Sequence, residues 1–282
     1  MTWLYLSLGS AICYACLSIF SRIVSVDSKN PRALSLAFNL VSVLMAILLF
    51  LLMGSYKRIT FPFQTEAWIY LLIAAFFYGM FERLRFFATK MLDASVYSII
   101  SNLSVIVAFF LSLFLYKETL TLSKLAGFIL ILVSLFLVVE RKKSKISFKA
   151  IFIGLATSFL LGIGWGLDKK GAIFFSPETY NILIWNISFI FLYLPYVKIR
   201  DIKIEFKKFS WKIILLSFFN VTGYFLGLKA LFIADATKVI PVTQLSIFIT
   251  VIAGVFLLKE KSNLVKKILA GIIAVIGVFF LR

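Results

Sequence analysis

"FFATKMLDASVYSIISNLSVIVAFFLSLFLYKE" (residues 86–118) and "LKALFIADATKVIPVTQLSIFITVIAGVFLLKE" (residues 228–260) align without a gap. Ala88, Asp93, Ala94, Leu103, Ser104, Phe114, Leu115, Lys117 and Glu118 meet Ala230, Asp235, Ala236, Leu245, Ser246, Phe256, Leu257, Lys259 and Glu260. Chance pairing of Leu with Leu is easy in an apolar chain; Asp-Ala and Lys-Glu recurring at one register is not. The match resumes after a two-residue insertion with Ala126-Gly127 against Ala270-Gly271, and weakly upstream with Pro31 and Asn39 against Pro177 and Asn186. Self-similarity over such a length marks a duplicated unit, so the chain divides into residues 1–145 and 146–282.

Hydrophobic residues make up 62% of the 282 residues and charged ones 15%, against roughly 45–50% and about 25% in soluble domains. Apolar runs long enough to cross a bilayer, which takes about 20 helical residues, recur between short charged clusters. Ten spans are expected: Trp3–Val26, Ala33–Met53, Ala67–Thr89, Ala94–Tyr116, Leu122–Val139, Phe148–Asp168, Thr179–Val197, Trp211–Ile233, Thr237–Leu258 and Val265–Leu281. Each half holds five. An odd number starts the second copy on the opposite side of the membrane, which gives the inverted-repeat plan of secondary transporters. The expected fold is an all-α membrane protein of ten transmembrane helices in two inverted five-helix repeats.

The formal charge is +18, but its lysines and arginines sit between spans, where they meet anionic headgroups and orient the chain. A nucleic-acid partner is not expected. Most of these cations follow odd-numbered spans, which by the positive-inside rule places both termini outside. There is no His, and Cys13 and Cys16 stand in an apolar helix as small packing residues. No Cys/His metal site can form, and neither a metal nor a cofactor is expected. The start "MTWLYLSLGSAIC" lacks the basic region of a signal peptide and reads as part of the first span.

Glu82, Arg83 and Arg85 interrupt the third span. Intramembrane charges normally face a bundle interior or a wet cavity; the alternative is a structural pair whose arginines snorkel to the interface. Glu82 and Arg85, three apart, share a helix face, and Arg83 points elsewhere. In a chain without histidine Glu82 is the candidate proton carrier, with Arg85 or Arg83 receiving a substrate carboxylate. Tyr78, Tyr97 and Tyr224 are candidate aromatic lining, and Tyr224 takes the repeat position of Glu82. Asn102, its repeat partner Gln244, and Thr243 are candidate hydrogen-bonding contacts. Pro241 breaks the ninth span by removing a backbone donor. Trp165 is either cavity wall or a packing or interface-belt residue, and Asp168 with Lys169 either pairs across the cavity entrance or forms an interfacial cluster; Lys169 is a further substrate candidate. Asp93 and Asp235 precede spans and read as N-caps. Gly154, Ser158, Gly162 and Gly166, Gly223 and Gly227, and Ser7, Ala11 and Ala15 form small-residue stripes that let helices approach closely.

The duplicated stretches, the ten spans, and Glu118 and Glu260 at the ends of the fourth and ninth spans resemble the drug/metabolite transporter superfamily, in particular its ten-helix EamA-type members. The resemblance covers essentially the whole chain. It implies export or exchange of amino acids and other small metabolites through a cavity lined by spans 1, 3, 4, 6, 8 and 9, and it favours cytoplasmic termini, against the charge count. The family's proline break is present in one half only: Ile99 stands where the second half has Pro241.

The expected function is a secondary transporter of an amino acid or related small metabolite working by alternating access, proton-coupled in one version, in a bacterial inner membrane as a monomer or homodimer. Uptake or exchange of a nucleotide-like metabolite such as S-adenosylmethionine is the second transport reading. A membrane enzyme on a lipid-linked substrate is the rival of another class, but the sequence offers neither a DDxxD-like pattern nor a histidine. No G-x-x-x-x-G-K run for direct ATP drive occurs.

Overall fold

Helix ends follow the punctuation of the sequence. The computed structural model describes residues 2–59, 61–92, 94–138, 147–194, 196–250 and 264–281. Among these are α1 (Thr2–Asp27), α2 (Pro31–Leu52), α3 (Thr65–Met91), α4 (Ala94–Tyr116), α5 (Leu122–Val138), α6 (Phe148–Phe175), α7 (Pro177–Tyr193), α8 (Ile199–Ile233), α9 (Ala236–Thr243) and α10 (Leu264–Leu281). Asn30 caps Ala33 N, and Ser176 caps Thr179 N. The prolines that follow, Pro31 and Pro177, open equivalent helices where a missing N–H costs nothing. Five helices, α1, α2, α3, α6 and α8, are long and apolar enough to cross a membrane on their own.

Two boundaries differ from expectation. α6 runs past Asp168 to Phe175, because Asp168 and Lys169 find partners inside the bundle and Lys170 pairs with Glu66 at its edge, so none of them signals an exit. α8 begins at Ile199 and absorbs the basic stretch expected as a loop. Buried Glu205 secures that first segment: its carboxylate accepts from Ser28 Oγ (3.1 Å), Lys29 N (3.1 Å) and Asn30 N (3.0 Å) at the α1–α2 connection. Non-helical backbone at Ser210 separates it from the rest of α8. The ninth span breaks as Pro241 requires: α9 ends at Thr243, turns through Gln244 and Leu245, and resumes as helix over 246–250. Asp93 and the second Lys-Glu pair, Lys259 and Glu260, lie outside the described residues.

Contacts fix the helix directions. Ser10 bonds Gly223 while Phe20 packs on Trp211 and Phe219, so α1 and α8 are antiparallel. Glu66 meets Lys170 while Tyr78 meets Asp168, so α3 and α6 are antiparallel. Arg85 reaches Ser21 and Arg22 reaches Leu92, which makes α1 and α3 parallel. It follows that α1 and α6, the first helix of each half, run in opposite directions. The halves exchange partners: α1 lies along α8 and α6 along α3, while α5 packs on α10.

Glycines make these approaches possible. A Cβ on Gly154, Gly162 or Gly166 would sit 2.6–2.7 Å from Leu92, Ser104 or Leu111, and one on Gly223 would sit 2.9 Å from Cys13 Cβ. Gly171 is tightest, with a Cβ only 2.0 Å from the ring of fully buried Tyr180. Gly171→Ala is therefore expected to lower stability by about 1–3 kcal/mol, the usual cost of overpacking. The readout is the melting temperature of purified protein; an unchanged value would mean that Tyr180 moves freely.

Candidate functional site: a cavity between the halves

A cavity of about 530 Å³, within the range of small-molecule sites, lies between α1, α3, α4, α6, α7, α8 and the broken ninth span, with Asn39 of α2 also reaching it. It extends from mid-bundle at Tyr14, Tyr78, Trp165 and Tyr224 to the end where α1 and α3 finish, at Ile23 and Leu92.

One wall carries charge. Arg85 Nη1 bonds Glu82 Oε1 at 2.9 Å, and both side chains are buried. The three-residue spacing on α3 brings them together. The other guanidinium nitrogen donates to Ser21 Oγ (2.8 Å), and the guanidinium lies 5.0 Å from the Phe38 ring and 5.1 Å from Phe86. Glu82 Oε2 has Asn39 Nδ2 at 3.5 Å. The pair is held from several directions, yet both members still face the cavity.

The opposite wall is neutral. Tyr224, at the repeat position of Glu82, and Asn220, at that of Tyr78, both line the cavity. Tyr224 packs edge-on against Tyr78 and Trp185. Asn220 Nδ2 and Ser188 Oγ are buried on this surface without a protein hydrogen-bond partner. Leaving a buried donor unpaired costs about 1–3 kcal/mol, so each is a ready contact for a polar ligand. Neither stood out in the sequence, where isolated Asn and Ser in apolar helices carry no distinguishing pattern.

The cavity gathers Glu82, Arg85, Tyr78, Tyr97, Trp165, Tyr224 and Gln244. Thr243 instead borders a separate void of about 30 Å³ with Ser10, Tyr14, Trp165, Asp168 and Tyr224, and donates to Val239 O. Three expected residues line neither space. Arg83 turns away and donates to Phe191 O (2.6 Å); neighbours on a helix point about 100° apart, so it cannot share the face of Glu82. Asn102 is wholly buried to one side of cavity-lining Ser101. Lys169 pairs with Glu118 at 2.8 Å and lies 3.6 Å from Asp235.

Asp168 does not pair with Lys169. It is buried in a ring of hydroxyls: Tyr78 Oη donates to Oδ2 (2.5 Å), and Tyr224 (2.7 Å) and Tyr180 (3.2 Å) donate to Oδ1. The donors come from three helices far apart in sequence, which is why the ring was not legible there.

Beyond Asp168, ion pairs between the halves shut the end away from Ile23 and Leu92. Lys117 adopts a left-handed φ of 49°, at the turn that leads from α4 into Glu118. The Glu118 carboxylate accepts from Ala236 N (2.9 Å), Thr237 N (3.2 Å) and Thr237 Oγ1 (2.5 Å), and also holds Lys169. Glu118 thus caps α9 across the repeat boundary. Asp235, expected as that cap, makes no capping bond; it pairs with Lys124 at 2.8 Å, where a carboxylate gains a full opposite charge. Burial pushes the Asp235 pKa up, but the Lys124 hydrogen bond and charge, then Lys169 and Lys238, outweigh it and hold the carboxyl below its ordinary value. Lys170 reaches Glu66 at 3.2 Å on the same side.

The sequence profile of the EamA-like transporter family matches residues 1–140 and again 148–282. The chain belongs to the EamA-like transporter family. It is a multi-pass membrane transporter of small molecules, and the members of its family are transporters, not enzymes. The two matches in this EamA-like transporter fall one on each half, and residues 141–147, "RKKSKIS", separate them. A solved crystal structure is similar over 99% of this transporter and 95% of the other chain, with a TM-score of 0.71 at 12% identity, a likeness of fold alone. No curated protein matches it.

Proposed function

We propose that the protein is a secondary transporter of amino acids or closely related zwitterions, and that Glu82 and Arg85 are the two halves of its receptor. The observation that carries this is a buried ion pair whose members both face a cavity large enough for a metabolite. A zwitterion brings a carboxylate for Arg85, bidentate in its best geometry, and an ammonium for Glu82, so substrate charge replaces the charge each already faces. Asn220 and Ser188 offer hydrogen bonds opposite. The pairing with Arg85 favours substrate recognition over proton carriage for Glu82. Alternating access follows from two inverted halves around a site closed at one end. The same reading sets the protein in a bacterial inner membrane, working as an exporter or exchanger.

Trp165, Trp185 and the tyrosines around a volume of this size also suit a zwitterion bearing a flat ring system such as S-adenosylmethionine. Thermal stabilisation of the purified protein separates the readings. The panel comprises free amino acids, S-adenosylmethionine, and matched compounds lacking either the carboxylate or the ammonium, followed by proteoliposome flux of each hit. Zwitterions are expected to raise the melting temperature and their clipped analogues not to. Equal stabilisation by analogues without a carboxylate would remove Arg85 from recognition and sink the proposal.

A further inference from the structure

Every other buried carboxylate among the described residues is answered by a cation or by backbone N–H groups. Glu82 has Arg85, Glu118 has Lys169 and the first amides of α9, and Glu205 has the amides of Lys29 and Asn30. Asp168 alone among them has only the neutral hydroxyls of Tyr78, Tyr180 and Tyr224. An ionised carboxylate without a counter-charge is expensive in a low-dielectric interior. A hydroxyl, however, suits both states: it donates to a carboxylate and accepts from a carboxylic acid. The ring therefore fits Asp168 with or without a proton, which the arginine and lysine sites do not.

We propose that Asp168 is the proton-binding site that couples transport to a proton gradient. The inference rests on the transporter reading above but not on the zwitterion. In the step itself, a proton from water reaching the cavity forms an O–H bond on a carboxylate oxygen of Asp168, and the same bond breaks when the site faces the other side. No electrons move and no other bond changes. Tyr78 and Tyr224 line the cavity, while Asp168 and Tyr224 also border the void of about 30 Å³, roughly one water's share of liquid volume. The carboxylate thus stands between the cavity and the closed end. Tyr78 belongs to the first half and Asp168 to the second, so the charge on Asp168 sets how firmly α3 is held to α6.

Among the described residues the titratable groups around Asp168 on the other helices are tyrosines: Tyr78 from α3, Tyr180 from α7 and Tyr224 from α8 bond it, Tyr14 from α1 borders the same void, and Tyr116 from α4 stands nearby with its hydroxyl engaged by Gly166 O and Lys170 N. The ninth span brings Val239, Ile240, Thr243 and the uncharged amide of Gln244 to the void. On α6 itself, Lys169 and Lys170 are committed to Glu118 and Glu66.

The test uses the full chain in proteoliposomes and begins without substrate. Infrared difference spectra across a pH titration are expected to show a carboxylic-acid carbonyl band in wild type and in Glu82→Gln. The band should be absent from Asp168→Asn and restored in Asp168→Glu. A mixture of labelled amino acids then probes flux. Asp168→Asn is expected to lose at least tenfold in accumulation driven by a pH gradient while exchange without a gradient persists. If Asp168→Asn fails to fold, Tyr78→Phe, which keeps the ring, should weaken gradient-driven accumulation in the same way. A band unchanged in Asp168→Asn, or gradient-driven accumulation equal to wild type in whichever variant folds, overturns the proposal. Wild type that moves none of the amino acids counts against the zwitterion, and the spectra still decide on Asp168.

Discussion

Arg85→Ala is expected to abolish substrate movement and to destabilise the protein by about 3–5 kcal/mol, the cost of leaving one member of a buried ion pair without its partner. Glu82 would keep only Asn39 at 3.5 Å among its side-chain contacts, and the rings of Phe38 and Phe86 would lose the cation they face. Removing both charges separates stability from recognition. Glu82→Gln combined with Arg85→Gln leaves no orphaned charge, so its melting temperature should return most of the way to wild type, while flux of the amino acids that wild type carries should stay at background. A double variant that transports normally would show that the pair is only a strut.

Glu118→Ala is expected to give the second largest effect. One carboxylate holds Lys169 and three donors at the start of α9, so its loss leaves a mostly buried ammonium with only Asp235, 3.6 Å away, and uncaps a helix. A buried ammonium left with no partner costs about 3–5 kcal/mol, an upper bound here because Asp235 remains, and a lost N-cap costs about 0.5–2 kcal/mol. Because these contacts join the two halves, their loss should also loosen the closed end. With Cys13→Ala and Cys16→Ala as background, a cysteine at Thr243→Cys is expected to react several-fold faster with a polar thiol reagent when Glu118 is Ala than when it is intact. Equal rates would place the barrier elsewhere. Glu118→Gln keeps acceptors for the amides but not the charge for Lys169, and should fall between the two.

The sequence carried the plan of the molecule because a plan of this kind is written in period and register. Asp235-Ala236 and Lys117-Glu118 revealed the duplication, the count of apolar runs revealed the inversion, and Pro241 located the break. Glu82 and Arg85 were legible as neighbours three apart on one helix. What sequence could not supply was any contact made between distant helices. Asp168 read as the partner of Lys169 because they are adjacent, whereas its partners stand 90, 56 and 12 residues away. Asp235 read as a cap because it precedes a helix, whereas the cap comes from Glu118 in the other half. Lys169 and Arg83 were chosen for charge alone, and the helix turn sends each away from the neighbour that faces inward.

The exchange of partners between the halves also bears on how the chain is made. Ser10 on α1 finds the Gly223 carbonyl 213 residues later, on the order of 10–40 s of synthesis at about 5–20 residues per second. Until α8 emerges, the first helix has only α3 of its own half to hold it, through Ser21 and Arg22, and its Ser10 face waits for a partner in lipid or on an assisting protein. Neither half is then an autonomous unit on the ribosome, and the two expressed as separate polypeptides should each be degraded alone and survive when produced together.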